Sequence, residues 1–126
     1  MIRLEFILIT NKYNIRKLSE VIGIFPCDIR DTFPKSSIAK PWWSISFESE
    51  IDMIDDVIDK LFDKIDKKED VFKDLFESKD INKVVRIYYP IKGNRSTCPS
   101  ISSKNVRKIA AINADFDFAF DWSNNK

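Results

Sequence analysis

Five aspartates, Asp52, Asp55, Asp56, Asp59 and Asp63, recur at helical spacing and fall on one flank of a helix. A carboxylate face of this kind has two uses. It keeps an amphipathic helix wetted, which is the ordinary role. It also suits a basic protein partner, because opposed surface charge steers association and selects among partners. The run lacks the central glycine of a calcium loop, so no metal site is read from it. A second set is cationic: Arg30, Lys35, Lys40, Arg95, Lys104, Arg107 and Lys108 stand in or beside two long loops. With Trp42, Tyr88 and Tyr89 near in sequence, that set suits a small anionic ligand or a nucleotide. Lys104, Arg107 and Lys108 also lie near a helix start, where free backbone N–H groups face an anion. A third set, Asp115, Asp117 and Asp121, shares one strand face. Paired carboxylates can run acid–base or glycoside chemistry. Here they alternate with phenylalanines on an outer face, and solvation accounts for them. No catalytic residue is assigned and no cofactor is expected.

Composition narrows the chemistry further. The 126 residues contain no histidine, which removes Ser-His and Cys-His dyads, imidazole metal ligands and a titration switch near neutrality. Cys27 and Cys98 are far apart and belong to no metal-spaced pair, so both read as free thiols in a reducing compartment. Only two glycines occur, and no phosphate-binding fingerprint is present. No apolar run approaches the length of a membrane span. The opening residues carry Arg3 and Glu5 and lack a cleavage site, so they read as mature sequence and the expected location is the cytoplasm.

The elements that must position these groups follow from periodicity. Residues 2–9 alternate and then become continuously apolar, the pattern of a central strand. A helix over Ile15–Ile22, capped by Asn14 or Asn11, ends at Gly23. Residues 26–41 hold three prolines and read as a long irregular loop. Trp42–Glu48 is a strand with Trp43, Ile45 and Phe47 on one face. Residues 50–66 carry apolar positions at helical spacing, and a second helix around Val71–Phe76 follows. Residues 83–91 form a strand rich in β-branched and aromatic side chains, residues 92–103 a second loop, and Asp115–Trp122 a strictly alternating strand.

Between the last two lies a repeat. Asn14-Ile15-Arg16-Lys17 returns as Asn105-Val106-Arg107-Lys108, each copy opening a helix between two strands. The prediction is a single α+β domain over 1–126: a ferredoxin-like sheet of four main strands built from two β-α-β halves, 1–48 and 83–122. An acidic helical hairpin over 49–80 is inserted between the halves. In that arrangement both long loops emerge at one end of the sheet. Charge is segregated accordingly. From Glu48 to Asp80 the net charge is −7, with 13 acidic and 6 basic residues. The remainder carries +8, so the near-neutral total of +1 conceals an acidic element on a basic body.

Ile22-Gly23-Ile24-Phe25-Pro26, Pro41-Trp42-Trp43, the helical hairpin and the closing Phe116-Asp117-Phe118-Ala119-Phe120-Asp121-Trp122 together resemble the bacterial domain of unknown function numbered 4279. The resemblance spans nearly the whole chain and rests on core and turn positions. It implies a small bacterial cytosolic protein, in a group whose members sometimes look like immunity proteins of toxin systems. The expected function is therefore non-enzymatic binding: a partner-neutralising module that meets a protein, such as a basic toxin, through its acidic hairpin or loop surface. The alternative is the anionic ligand at the basic loops. Neither a membrane nor nucleic acid is an expected partner.

Overall fold

In a computed structural model, described over residues 2–31, 40–51, 53–90 and 100–121, nine elements follow one another. They are β1 (Ile2–Ile9), α1 (Ile15–Ile22), β2 (Asp28–Arg30), β3 (Trp42–Ser49), α2 (Ile54–Asp66), α3 (Glu69–Glu77), β4 (Asn82–Pro90), α4 (Ser103–Ala111) and β5 (Asp115–Asp121). The fold is α+β. A mixed sheet of five strands runs in the order β2-β3-β1-β4-β5, and four helices cover one of its faces.

Alternation in the strands decides which face that is. On β1, Ile2, Leu4, Phe6 and Leu8 are fully buried, and Trp43 and Ile45 on β3 and Val85 and Ile87 on β4 join them. Against these pack Ile15 and Ile22 of α1, Val57, Ile58 and Leu61 of α2, Phe72 of α3 and Ile109 of α4, in one continuous cluster. The rings of Phe72 and Phe76 stack with centroids 5.4 Å apart and sit over Phe6. The helix ends are chemically marked. Asn14 caps α1, its side-chain oxygen accepting from the N–H groups of Arg16 and Lys17 at 3.0 and 3.2 Å. Gly23 closes that helix at φ 69°, a left-handed conformation in which a side chain would also meet Lys68 Nζ at 2.9 Å.

Several sequence expectations need correction. The loop over 26–41 contains a fifth strand, β2, three residues long and paired antiparallel to β3. Its single apolar residue between two charges gives periodicity nothing to find. The two β-α-β halves are not successive but interleaved. β1 and β2 are each antiparallel to β3, so they are parallel to one another with β3 between them. β3 and β4 are each antiparallel to β1, so they too are parallel, with β1 between them. The crossover of this second pair is α2 and α3. The helical hairpin is therefore no insertion: it carries the chain from Ser49, beside Ile2, to Asn82, beside Ile9, at the opposite end of the sheet. Its buried faces supply much of the core. The half expected over 83–122 is a parallel crossover of neighbours, β4-α4-β5.

The same register separates the two long loops. The first is flanked by Arg30 and Trp42, which pair at the Ile9 end, while Pro90 leaves β4 at the Ile2 end. They do not share an end. The repeated segments also differ in role. Asn14 is the cap of α1, but Asn105 lies inside α4, whose cap is Ser102, accepting from the Asn105 N–H at 3.2 Å.

Candidate functional site

Among the described residues, no helix covers the other face of the sheet. It is built from the alternate positions: Arg3, Glu5, Ile7 and Ile9 on β1, Trp42, Ser44, Ser46 and Glu48 on β3, Val84, Arg86 and Tyr88 on β4, Asp28 and Arg30 on β2, and Asp115 and Asp117 on β5. Register sets them in rows. Ser46, Glu5, Arg86 and Asp117 stand side by side across four strands, as do Glu48, Arg3, Tyr88 and Ala119.

The polar heads in these rows are held by neighbours. Tyr88 Oη donates to Glu5 Oε1 at 3.3 Å, and the Arg3 guanidinium lies over the Tyr88 ring at 4.2 Å from its centroid. Arg86 pairs with Asp117 at 3.4 Å. Its pKa is raised first by a hydrogen bond to Tyr88, then by Asp117, against the opposing effect of burial. Trp42 Nε1 donates to Asp28 Oδ2 at 2.8 Å, and Arg30 lies over the Trp42 ring at 5.9 Å. Between these groups is a hollow of about 220 Å³, floored by Ile7, Ile9 and Ser44 and walled by Glu5, Asp28, Trp42 and Arg86. Ser44 is buried, 1% exposed, with its hydroxyl 3.4 Å from Cys27 Sγ. Chemically this face presents two aromatic rings, three guanidinium groups and several carboxylates, set side by side on the sheet.

The acidic set divides. Asp52 lies outside the described residues. Asp55 points to α4: its Oδ1 accepts from the Ser102 N–H at 3.0 Å and from Asn105 Nδ2 at 2.8 Å, and Asp59 Oδ1 shares the Asn105 amide at 3.3 Å. Burial pushes the Asp55 carboxyl up, but the hydrogen bonds from Ser102 and Asn105 outweigh it and hold the pKa below its ordinary value. The two carboxylates also fix the Asn105 amide, whose nitrogen must face them. Its oxygen is thereby buried without a partner among the described residues. Asp56 pairs with Lys60 at 3.3 Å, while Asp59 and Asp63 are exposed. Asp55 is thus a clamp between two helices, and the described members of the set left on the outward side are Asp56, Asp59 and Asp63.

The basic set divides as well. Lys35 and Arg95 lie outside the described residues. Arg30 and Lys40 stand at the Ile9 end, where Pro41 accepts from the Thr10 N–H. Lys104, Arg107 and Lys108 sit on α4, which starts beside Asp55 at the other end. Lys108 lies over the Phe62 ring of α2 at 5.4 Å. The described members do not converge on one site. Two features escaped sequence reasoning. One is the open face, whose signal was the alternation itself: Arg3 and Glu5 between Ile2, Leu4 and Phe6, and Arg86 and Tyr88 around Ile87. The other is Lys83, 5% exposed, whose Nζ donates to the carbonyls of Phe76 and Ser78, both at 3.0 Å, and so ties the end of α3 to β4. Burial lowers the Lys83 pKa. Among the described residues no group of three or more Cys, Asp or Glu side chains is placed to hold a metal ion, and no helix is long and apolar enough to cross a membrane.

The family model of the domain of unknown function DUF4279 matches residues 1–122. This chain belongs to that family. No curated protein and no solved structure matches it. Among the described elements, the DUF4279 match takes in both interleaved crossovers and the appended β5, so the open face lies wholly inside it.

Proposed function

We propose that this DUF4279 chain is a non-enzymatic binding protein, a partner-neutralising or immunity-type module of the bacterial cytoplasm, and that it meets its protein partner with the open face of the sheet. The observation that carries this reading is the array Arg3–Tyr88–Glu5 and Arg86–Asp117 beside Trp42–Asp28. Arginine, tyrosine and tryptophan are the residues that dominate binding energy at protein interfaces. Holding their heads in place before binding lowers the entropy lost on association. We also read residues 2–90 as a ferredoxin-like unit, on the strength of the two interleaved crossovers, with α4 and β5 appended.

A second surface has its own support. Asp59 and Asp63 remain exposed on a segment of net charge −7, and that favours a basic partner approaching α2. The anionic-ligand alternative has less support, because, of its described residues, Arg30 and Lys40 stand at the opposite end from Lys104 and Arg107.

The test is differential capture. Immobilised wild-type chain, an R86A/W42A variant and a D59N/D63N variant are exposed to the same native lysate, and the retained proteins are compared by mass spectrometry. A protein held by the wild type and by the helix variant but lost by the sheet variant fits the proposal. Retention by the sheet variant with loss by the helix variant moves the contact to α2.

A further inference from the structure

We propose that Lys83 is a nucleophilic amine set in a ligand-sized hollow, and that it takes a small uncharged aldehyde as an imine. Lysine is rarely buried unless a carboxylate pairs with it. Lys83 is 5% exposed, and among the described residues no carboxylate pairs with it. Its Nζ has two partners there, the carbonyls of Phe76 and Ser78, both at 3.0 Å. An ammonium carries three N–H donors, whereas a neutral amine carries two and a lone pair. Two acceptors match the amine and leave its lone pair unblocked. The ammonium would hold a third N–H with no partner among the described residues. Burial acts in the same direction and lowers the Lys83 pKa. Desolvated lysines of this kind serve as Schiff-base nucleophiles.

Phe76, Ser78 and Lys83 all line a hollow of about 430 Å³, within the usual range for small-molecule sites. It lies where the end of α3, the turn into β4 and the turn between α4 and β5 meet. Asn113, at φ 58°, joins them, its amide donating to the Phe76 carbonyl at 3.2 Å. That carbonyl therefore keeps a donor when Lys83 reacts. The charged groups around Lys83 in this lining are Glu77 of α3, Lys79 of the turn and Asp115 of β5. Two carboxylates against one ammonium disfavour an anionic aldehyde. In the reaction the Nζ lone pair attacks the carbonyl carbon and a C–N bond forms. Both nitrogen-bound protons pass to the carbonyl oxygen, which leaves as water, and a C=N bond replaces the C=O bond. Protonation of the imine by solvent restores one N–H, which the Ser78 carbonyl accepts.

The experiment is reductive trapping on the full chain. Benzaldehyde is added at equimolar ratio near neutral pH, cyanoborohydride reduces any imine to a stable amine, and peptide mass spectrometry locates the modified lysine. The expected result is a mass increment of one benzyl group per chain, on Lys83, with the exposed Lys12 and Lys79 unmodified. In urea the preference disappears. Lys83→Arg keeps a cation for the two carbonyls but cannot form an imine, so it loses the adduct while its circular dichroism stays native. Should that variant fail to fold, the wild-type peptide map still decides. A second arm tests the ligand's charge. 4-Formylbenzoate, scaled by its rate with free lysine, labels Lys83 less than benzaldehyde does, and E77Q/D115N closes the gap. Label spread over the exposed lysines of the folded chain, with Lys83 spared, overturns the proposal. Labelling of Lys83 by 4-formylbenzoate at or above the benzaldehyde level overturns the assignment of an uncharged aldehyde.

Discussion

The two faces of this sheet are made by the same strands, one residue out of step. On β1, Leu4 and Phe6 are fully buried under helices, while Arg3 and Glu5 reach a surface that no helix among the described residues covers. On β4, Val85 and Ile87 belong to the core, and Arg86 and Tyr88 belong to the open array. The difference teaches a division of labour. The covered face earns its stability from area and shape, and its polar atoms are few and tied to helix ends. The open face holds its shape with ion pairs and ring contacts that contribute little to folding because water competes for them. A helix on that side would bury Arg3, Glu5, Arg86 and Asp117 together, at a desolvation cost their pairing would not recover. Stability and the proposed recognition are therefore expected to be separable by mutation.

The sharpest way to break that contrast is to empty the covered face. Phe72→Ala removes a ring stacked on Phe76 and packed against Phe6, and should lower unfolding free energy by about 3–5 kcal/mol in urea titration. Asp55→Ala strikes where a polar group serves the covered side. It strands the Ser102 N–H and the Asn105 amide and should cost about 1–3 kcal/mol by the same measurement. The pH dependence has a definite sign. Because the folded-state pKa of Asp55 is depressed, its contribution is fully present above the ordinary aspartate value and is lost as pH falls through the lower, folded one. The stability gap between wild type and Asp55→Asn should thus be constant near neutrality and close only in acid. An Asp55→Asn gap that widened on acidification would contradict the clamp.

On the open face the same assay should see little. Tyr88→Phe deletes the bond to Glu5 and should cost about 0.5–1.5 kcal/mol. Arg86→Ala, despite its pair with Asp117, should stay within about 1 kcal/mol, because that pair is solvent-accessible. A loss from Arg86→Ala as large as that from Phe72→Ala would mean that the open face is structural after all.

Much of the secondary structure was legible from periodicity. Ile15–Ile22, the strand at Asn82–Pro90 and the phenylalanine alternation of β5 read almost to the residue. Strand pairing was not. The Asn14 and Asn105 repeat suggested two equivalent halves, yet one asparagine caps a helix and the other is buried under α2, 2% exposed. Local likeness cannot show which strand lies between which, because that depends on contacts eighty residues apart, such as Glu5 with Arg86. Within the acidic set, helical spacing places Asp55 and Asp59 on one flank, but only the arrival of α4 ties the Asp55 carboxylate to Ser102 and Asn105, while Asp59 shares the Asn105 amide and stays exposed.

β1 occupies the centre of the sheet although it is made first. One of its edges waits for β3, some forty residues on, and the other for β4, some eighty residues on. No strand directly after β1 is its neighbour, so the sheet cannot grow by successive hairpins. During synthesis the run Phe6-Ile7-Leu8-Ile9 therefore keeps at least one unpaired edge until β4, ending at Pro90, has been made. In the nascent chain, the segment most central to the finished molecule is also the one most open to mispairing.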